Sequence, residues 1–442
     1  MIVVFLHGWG VRNPDYGALP EWLRERMGAS VVDVWLSDYI TYSDSVTMGD
    51  LVDAFERARQ QNFPGVKFAC VTHSTGGPLA RQWLASYGAA LGSAGGAAGL
   101  LTHLVMLAPP NHGSALAQLG KGRLSRMALW FGHREPGEQI LDWLELGSFE
   151  SWRLNMNTLE DAQNGCGAIF PRPEGGARRT LCALHQTSPV FVFSLVGSGI
   201  DAKLYDHLNS YTGERGSDGV VRAAAANLNY NFIELKQAGP QLNVTGKLRS
   251  AASAFGILPG LSHCGSTMGI LSSITLQNAS RHLAAQWVER CLNVTTPQAY
   301  AQVSAELAAT LEKAPDQGSM IVVRVKDGAG RPVKDFDVYL TGGSDYDPGH
   351  LPKNFFIDRQ RNQVTPNALT YYVDHRVFEQ TKELGLRVGA RPEAGPVNYL
   401  AAEFRSQEAT VATVLRAQET VMVDITLERR LDQAVFQLRR AA

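Results

Sequence analysis

Val71-Thr72-His73-Ser74-Thr75-Gly76-Gly77 is the stretch on which the reading of this chain turns. An apolar, strand-like lead, Lys67-Phe68-Ala69-Cys70-Val71, runs into Ser74, and a helix-like segment, Pro78-Leu79-Ala80-Arg81-Gln82-Trp83-Leu84, leaves it. Small residues occupy the positions where a strand turning sharply into a helix crowds its own backbone. Such a turn holds one side chain in a strained, exposed position, and Ser74 is the residue so placed. The usual form of the turn is Gly-x-Ser-x-Gly, and here Thr72 stands where the first glycine would be. Taken alone, the stretch also reads as an ordinary strand–turn–helix unit with an incidental serine.

Working outward, strand-like and helix-like runs alternate from residue 1 to about 295. The strand candidates are Ile2–Leu6, Val31–Leu36, Phe68–Thr72, His103–Leu107 and Val190–Val196. Between them lie Leu19–Met27, Met48–Gln61 and Gly76–Tyr87, each with apolar residues at helical spacing. Strands alternating with helices indicate βαβ units, hence an α/β domain with a mostly parallel sheet flanked by helices. Gly92–Gly99 reads as a pliable loop. Residues 114–188 interrupt the alternation as an insertion carrying Trp130, Phe131, Trp143, Phe149 and Trp152, with Lys121, Arg123, Arg126 and Arg134 nearby. It reads either as a cap over a cleft or as an extra helical layer with a core of aromatics.

The texture changes after Cys291. Residues 296–318 read as a helical segment and linker. From 319 to 442 there follow short runs, Ile321–Val325, Phe336–Leu340, Phe355–Ile357, Leu369–Val373, Leu384–Val388 and Thr420–Leu427, separated by turns such as Lys326-Asp327-Gly328-Ala329-Gly330-Arg331-Pro332. That pattern predicts a C-terminal all-β, sandwich-like domain. At the very end Leu427, Leu431, Val435 and Leu438 stand beside Arg429, Arg430, Arg439 and Arg440. They fit a short basic amphipathic helix facing a membrane, a final strand, or a solvated domain end.

Composition narrows the class. In 442 residues, 45% are hydrophobic and only 19% charged, which describes a large-cored globular protein of about two domains. A formal net charge of −1 argues against a nucleic-acid partner. No run of apolar residues is long enough to span a bilayer, and the N-terminus opens as a strand with no basic leader before it. The expectation is therefore a protein without a cleavable signal peptide. Five cysteines without CxxC spacing give no zinc site or disulfide framework, though a single Cys166–Cys182 bridge stays open. Cys70, on an apparent core strand, reads as a buried thiol.

A serine hydroxyl is a weak nucleophile until a histidine takes its proton and a carboxylate orients that histidine. Where a serine sits on a turn of this kind, the order along the chain is Ser, acid, His. His263, in the polar loop Leu261-Ser262-His263-Cys264-Gly265-Ser266, is late enough to be the base, with His207 as its competitor. His112, in Ala108-Pro109-Pro110-Asn111-His112-Gly113-Ser114, precedes any acid and reads as a structural hydrogen-bonding residue. Asp218, in Gly216-Ser217-Asp218-Gly219-Val220-Val221, is the favoured acid over Asp201 and Asp206. An oxyanion needs fixed N–H donors. Thr75, next to the serine, offers one, and Trp9 in His7-Gly8-Trp9-Gly10, after the first strand, offers the other. This chemistry requires no metal and no organic cofactor.

These motifs resemble those of the serine lipases of the α/β-hydrolase fold over residues 1 to about 290. Phe5-Leu6-His7-Gly8-Trp9-Gly10, Ala108-Pro109-Pro110-Asn111-His112-Gly113-Ser114, Ser217-Asp218-Gly219-Val220-Val221 and Ser262-His263-Cys264-Gly265 carry the likeness. More narrowly, Thr72-His73-Ser74-Thr75-Gly76 is similar to the PlaB-type bacterial phospholipases A, which also pair an N-terminal lipase domain with a C-terminal β-rich one. The resemblance implies Ser74 as nucleophile, Asp218 as acid and His263 as base. It implies phospholipid and lysophospholipid substrates, peripheral membrane contact from an otherwise cytoplasmic bacterial protein, and a homo-oligomer, dimer or tetramer. A triacylglycerol lipase or carboxylesterase with the same residues is the alternative, and a non-catalytic scaffold on a hydrolase fold is the second.

Overall fold

The computed structural model describes residues 1–6, 17–34, 43–87, 100–122, 137–163, 190–201, 214–314, 316–378, 383–406 and 414–432. They fall into two compact units, residues 1–229 with 249–318 and residues 230–248 with 319–442. The chain order is β1 (Ile2–Leu6), α1 (Leu19–Met27), β2 (Ser30–Val34), α2 (Met48–Asn62), β3 (Phe68–His73), α3 (Gly76–Tyr87) and β4 (Leu101–Leu107). Next come α4 (Ala115–Gly122), α5 (Glu138–Leu144), α6 (Phe149–Gln163), β5 (Phe191–Gly197) and α7 (Ala223–Ala226). A hairpin, β6 (Tyr230–Ala238) and β7 (Gln241–Arg249), precedes β8 (Ala254–Leu258), α8 (Leu283–Leu292) and α9 (Pro297–Glu312).

In the first unit a six-stranded sheet runs in the order β2-β1-β3-β4-β5-β8, with every pair parallel. Its inner strands are mostly apolar and buried almost end to end, as in Phe191-Val192-Phe193-Ser194-Leu195-Val196-Gly197, because both faces are covered. The chain moves outward from β1 to β2 and then returns to the other side of β1 as β3. That reversal opens a crevice beyond the carboxyl ends of β1 and β3, the place where such sheets bind their ligands. Ser74 follows the last residue of β3.

Local signals explain the helices. Thr47 caps α2, accepting from the Asp50 amide while the Asp50 carboxylate accepts from the Thr47 amide. Helix α9 starts at Pro297 behind a Thr296 cap and packs on β8. Tyr300 Oη accepts the Ala254 N–H at 2.9 Å and donates to the Val192 carbonyl at 2.7 Å, and Thr310 Oγ1 accepts the Ile257 N–H at 2.8 Å. Gly256 leaves room for Leu307, whose Cδ2 would lie 2.5 Å from an added Cβ. The segment that reads as helical from sequence is thus a helix that covers the edge strand β8, burying Val303 and Leu307.

The second unit continues with β9 (Gly318–Asp327), β10 (Phe336–Gly342), β11 (Phe356–Arg361), β12 (Ala368–Asp374), α10 (His375–Phe378), β13 (Leu384–Ala390), β14 (Val397–Asn398), β15 (Ala402–Arg405), β16 (Thr420–Leu427) and β17 (Arg430–Leu431). Nine strands form one mixed sheet, β10-β13-β15-β7-β6-β16-β9-β12-β11. It curls on itself: Arg361 of β11 donates to the Lys334 carbonyl at 3.1 Å and to the Phe336 carbonyl, near the opposite edge. Val323, Val325, Leu340, Leu386, Val388 and Ile425 fill the space enclosed. The β6–β7 hairpin, which sequence places in the first domain, belongs here, since β6 lies parallel to β16 from Tyr230↔Thr420 to Lys236↔Thr426.

In the insertion, Trp143 and Trp152 are buried, as an extra helical layer requires, and Phe149 is half exposed. Trp130, Phe131, Arg123, Arg126, Arg134, Gly92–Gly99, His207, Asp206, Cys166, Cys182 and the tail from 433 lie outside the described residues. Before the tail, Arg430–Leu431 pairs with Val397–Asn398 as a short strand.

Candidate active site

The elbow is strained in the way its sequence suggests. Ser74 has φ +52°, the left-handed region that costs a residue with a Cβ about 1–2 kcal/mol. Its amide donates to the Leu107 carbonyl at 2.9 Å, and its own carbonyl accepts from Gly77 at 3.0 Å as α3 begins. The turn is tight enough that a Cβ on Gly77 would lie 2.7 Å from Pro109 Cβ. Thr72, in the unusual first position, is fully buried, and among the described residues its hydroxyl has no hydrogen-bond partner.

Three side chains meet at this turn. His263 Nε2 lies 3.0 Å from Ser74 Oγ, and His263 Nδ1 lies 2.9 Å from Asp218 Oδ2. The Asp218 carboxylate is fully buried and its other oxygen accepts from the amides of Val220 at 3.0 Å and Val221 at 2.8 Å. Two backbone donors satisfy the buried anion and fix its direction, so Oδ2 is left to the histidine. The His263 amide donates to the Asp218 carbonyl at 2.9 Å, which locks the two loops together.

Glycine makes this closeness possible. A Cβ on Gly197, at the end of β5, would sit 1.9 Å from the Leu261 carbonyl and 3.3 Å from Asp218 Cβ. The Asp218 loop is strapped from behind by Arg222, whose guanidinium makes two 2.8 Å bonds to Glu214. Ser114 ties it forward, donating to the Val220 carbonyl at 2.7 Å.

Of the residues singled out from sequence, Ser74, Asp218 and His263 are brought together, and Thr75 opens the helix beside them. Trp9 lies outside the described residues. Asp201 is buried.

Beneath the elbow helix lies a polar network not legible in the sequence. Arg81, on α3, donates to Asn111 Oδ1 at 3.2 Å, Asn155 Oδ1 at 2.8 Å and Thr158 Oγ1 at 3.2 Å. Asn155, on α6, also donates to the Asn111 carbonyl at 3.0 Å and lies 3.0 Å from His112 Nδ1. Only the pairing of Asn111 with His112 in a proline-rich loop hinted at it. Burial, with Arg81 beside it, pushes the His112 ring down to about 3. The fold therefore refuses a proton that the unfolded chain takes up near pH 6.5, and stability falls as pH drops below that value. His112→Gln is expected to remove about 1.4 kcal/mol per pH unit from the acid-side slope between pH 6 and 4, read by urea unfolding at each pH. Parallel slopes for the two proteins would refute it.

The parallel sheet with its reversal at β1 and β3, the strained serine after β3 and the late histidine define an α/β-hydrolase. The chain belongs within that class to the PlaB phospholipase family. It is similar to two solved structures of phospholipase PlaB from Legionella pneumophila, one of them in complex with thio-NAD. Identity is 38% over 99% of this chain and 96% of those chains, with TM-scores of 0.84 for the thio-NAD complex and 0.85 for the other. No family model and no curated protein matches the chain.

Proposed function

We propose that the chain is a serine phospholipase A and lysophospholipase A, cleaving the acyl esters of glycerophospholipids through an acyl-enzyme. The observation that carries this reading is the unbroken hydrogen-bond chain from Ser74 Oγ through both nitrogens of His263 to Asp218 Oδ2, mounted on a left-handed serine. Its extension to phospholipids rests on the similarity to PlaB.

In this mechanism His263 Nε2 takes the Ser74 proton as Oγ attacks the ester carbonyl, and the same nitrogen then hands it to the leaving alcohol. Asp218 holds the ring with Nδ1–H pointing inward and offsets the positive charge that forms on it. The Thr75 amide, at the start of a twelve-residue helix, faces the developing oxyanion with the helix dipole behind it. The Trp9 amide, three residues beyond β1 in sequence, is the second donor in this proposal. Water activated by His263 releases the fatty acid. None of these steps calls on a metal or an organic cofactor.

Lipid substrates require contact with a bilayer surface. Among the described residues no helix is long and apolar enough to cross a membrane, so the contact proposed is peripheral. A homo-oligomer, dimer or tetramer, belongs to the same proposal.

The test is release of fatty acid from a mixture of phospholipids, lysophospholipids, triglyceride and short-chain esters by the purified protein. Turnover of phospholipid and lysophospholipid above that of triglyceride is expected. Triglyceride turnover far above phospholipid turnover would sink the assignment and leave a triacylglycerol lipase or carboxylesterase.

A further inference from the structure

We propose that His73, the neighbour of the nucleophile, is the positioning residue of the base, holding His263 through its backbone. This rests on the reading of Ser74 and His263 as nucleophile and base. His73 closes β3 and is buried, 4% exposed. Its Nε2 lies 3.1 Å from the His263 carbonyl oxygen. A carbonyl oxygen only accepts, so the nitrogen facing it carries a proton and donates. The two imidazoles pack against each other with ring centroids 4.9 Å apart, tilted by 43°.

The consequence lies in how His263 is held. Its peptide N–H is fixed by the Asp218 carbonyl, its ring Nδ1 by the Asp218 carboxylate, and its peptide C=O by His73. Asp218 reaches the base from the acid's side, whereas His73 reaches it from the strand that carries the nucleophile. Of these three anchors, His73 alone sits next to Ser74 in the chain, so it ties the base loop to the same strand end that sets the position of Oγ. Release of that anchor leaves the Asp218–His263 pair intact but frees it to drift from Ser74. Misplacement on the scale of an ångström costs on the order of 100-fold in rate.

The geometry selects the variants. Glutamine carries its amide nitrogen the same number of bonds from Cα as His73 carries Nε2, so His73→Gln keeps the donor in reach. His73→Asn is polar but one bond short, and His73→Phe keeps the ring volume and loses the donor. All are assayed in the full chain, with thermal unfolding confirming the fold. The readouts are steady-state kinetics on a soluble ester and the rate of labelling by a fluorophosphonate, which reports how readily the serine hydroxyl is activated.

His73→Asn and His73→Phe are expected to lose about 10- to 100-fold in kcat and in labelling rate, with KM within about twofold, and His73→Gln to stay within about threefold of wild type. A folded His73→Asn or His73→Phe that labels at the wild-type rate would overturn the proposal. So would His73→Gln as slow as the phenylalanine variant. Ser74→Ala, run alongside, separates the premise from the proposal: labelling there at the wild-type rate removes the nucleophile itself. Its silence, with His73→Asn unimpaired, removes only the role of His73.

Discussion

Ser74→Ala and His263→Ala are each expected to lower kcat/KM for ester hydrolysis by at least about 10⁴-fold, with the thermal midpoint near that of wild type. The size follows from the geometry. Without Oγ there is no atom 3.0 Å from His263 Nε2 to receive the acyl group. Without the imidazole the hydroxyl keeps its proton at neutral pH. Because the two act as one device, the double variant is expected to fall no further than either single one, and that non-additivity is the sharper measurement. Losses that multiply would mean that the two residues contribute separately. Hydrolysis retained by a cleanly folded Ser74→Ala protein would dispose of the mechanism altogether.

A chain ending at Gly318 is expected to be insoluble. Every strand of the nine-stranded sheet would be gone except β6 and β7, the hairpin inserted between the acid and the base in sequence. Strand β6 would lose its parallel partner β16, and Ile233, Leu235 and Leu242 would lose the core in which they are buried. Replacing residues 231–250 of that shortened chain with a short glycine–serine turn is expected to restore a soluble, cooperatively unfolding protein. The replacement is feasible because the ends already meet: Asn229 Nδ2 donates to the Ser253 carbonyl and Asn229 Oδ1 accepts the Ser253 amide, each at 2.9 Å. Solubility and thermal unfolding of both proteins check this. A soluble, folded chain ending at Gly318 with its hairpin intact would show that the hairpin does not depend on its later partners.

The sequence carried much of this architecture because its strongest signals are local. Ile2–Leu6, Leu19–Met27, Gly76–Tyr87 and Thr420–Leu427 appear in the structure with the bounds read from periodicity. The elbow was legible because close packing forces small residues around Ser74. Chain order singles out Asp218 and His263, and their side chains meet in the fold. What stayed hidden depends on partners far along the chain. Strand β8 is only five residues long and interrupted by Gly256, so it shows no alternation. The run Tyr230–Ala238 has no feature that announces a partner at Thr420–Thr426. His73 passed as a member of the motif, because a donor aimed at a carbonyl 190 positions away leaves no trace in local pattern.

The parallel pairing of β6 with β16 also sets a timetable. During synthesis β6 leaves the ribosome well before Thr420, its partner at Tyr230, has been made. At about 5–20 residues per second, translating the roughly 190 residues between them takes on the order of 10–40 s. Throughout that interval Tyr230, Phe232, Ile233 and Leu235 have only β7 beside them. The solvent-exposed Gln241, Asn243, Thr245 and Lys247 on that strand keep the waiting ribbon wettable. Until β16 is made, the polar rhythm of β7 offsets the apolar face of β6, the strand whose partner comes last.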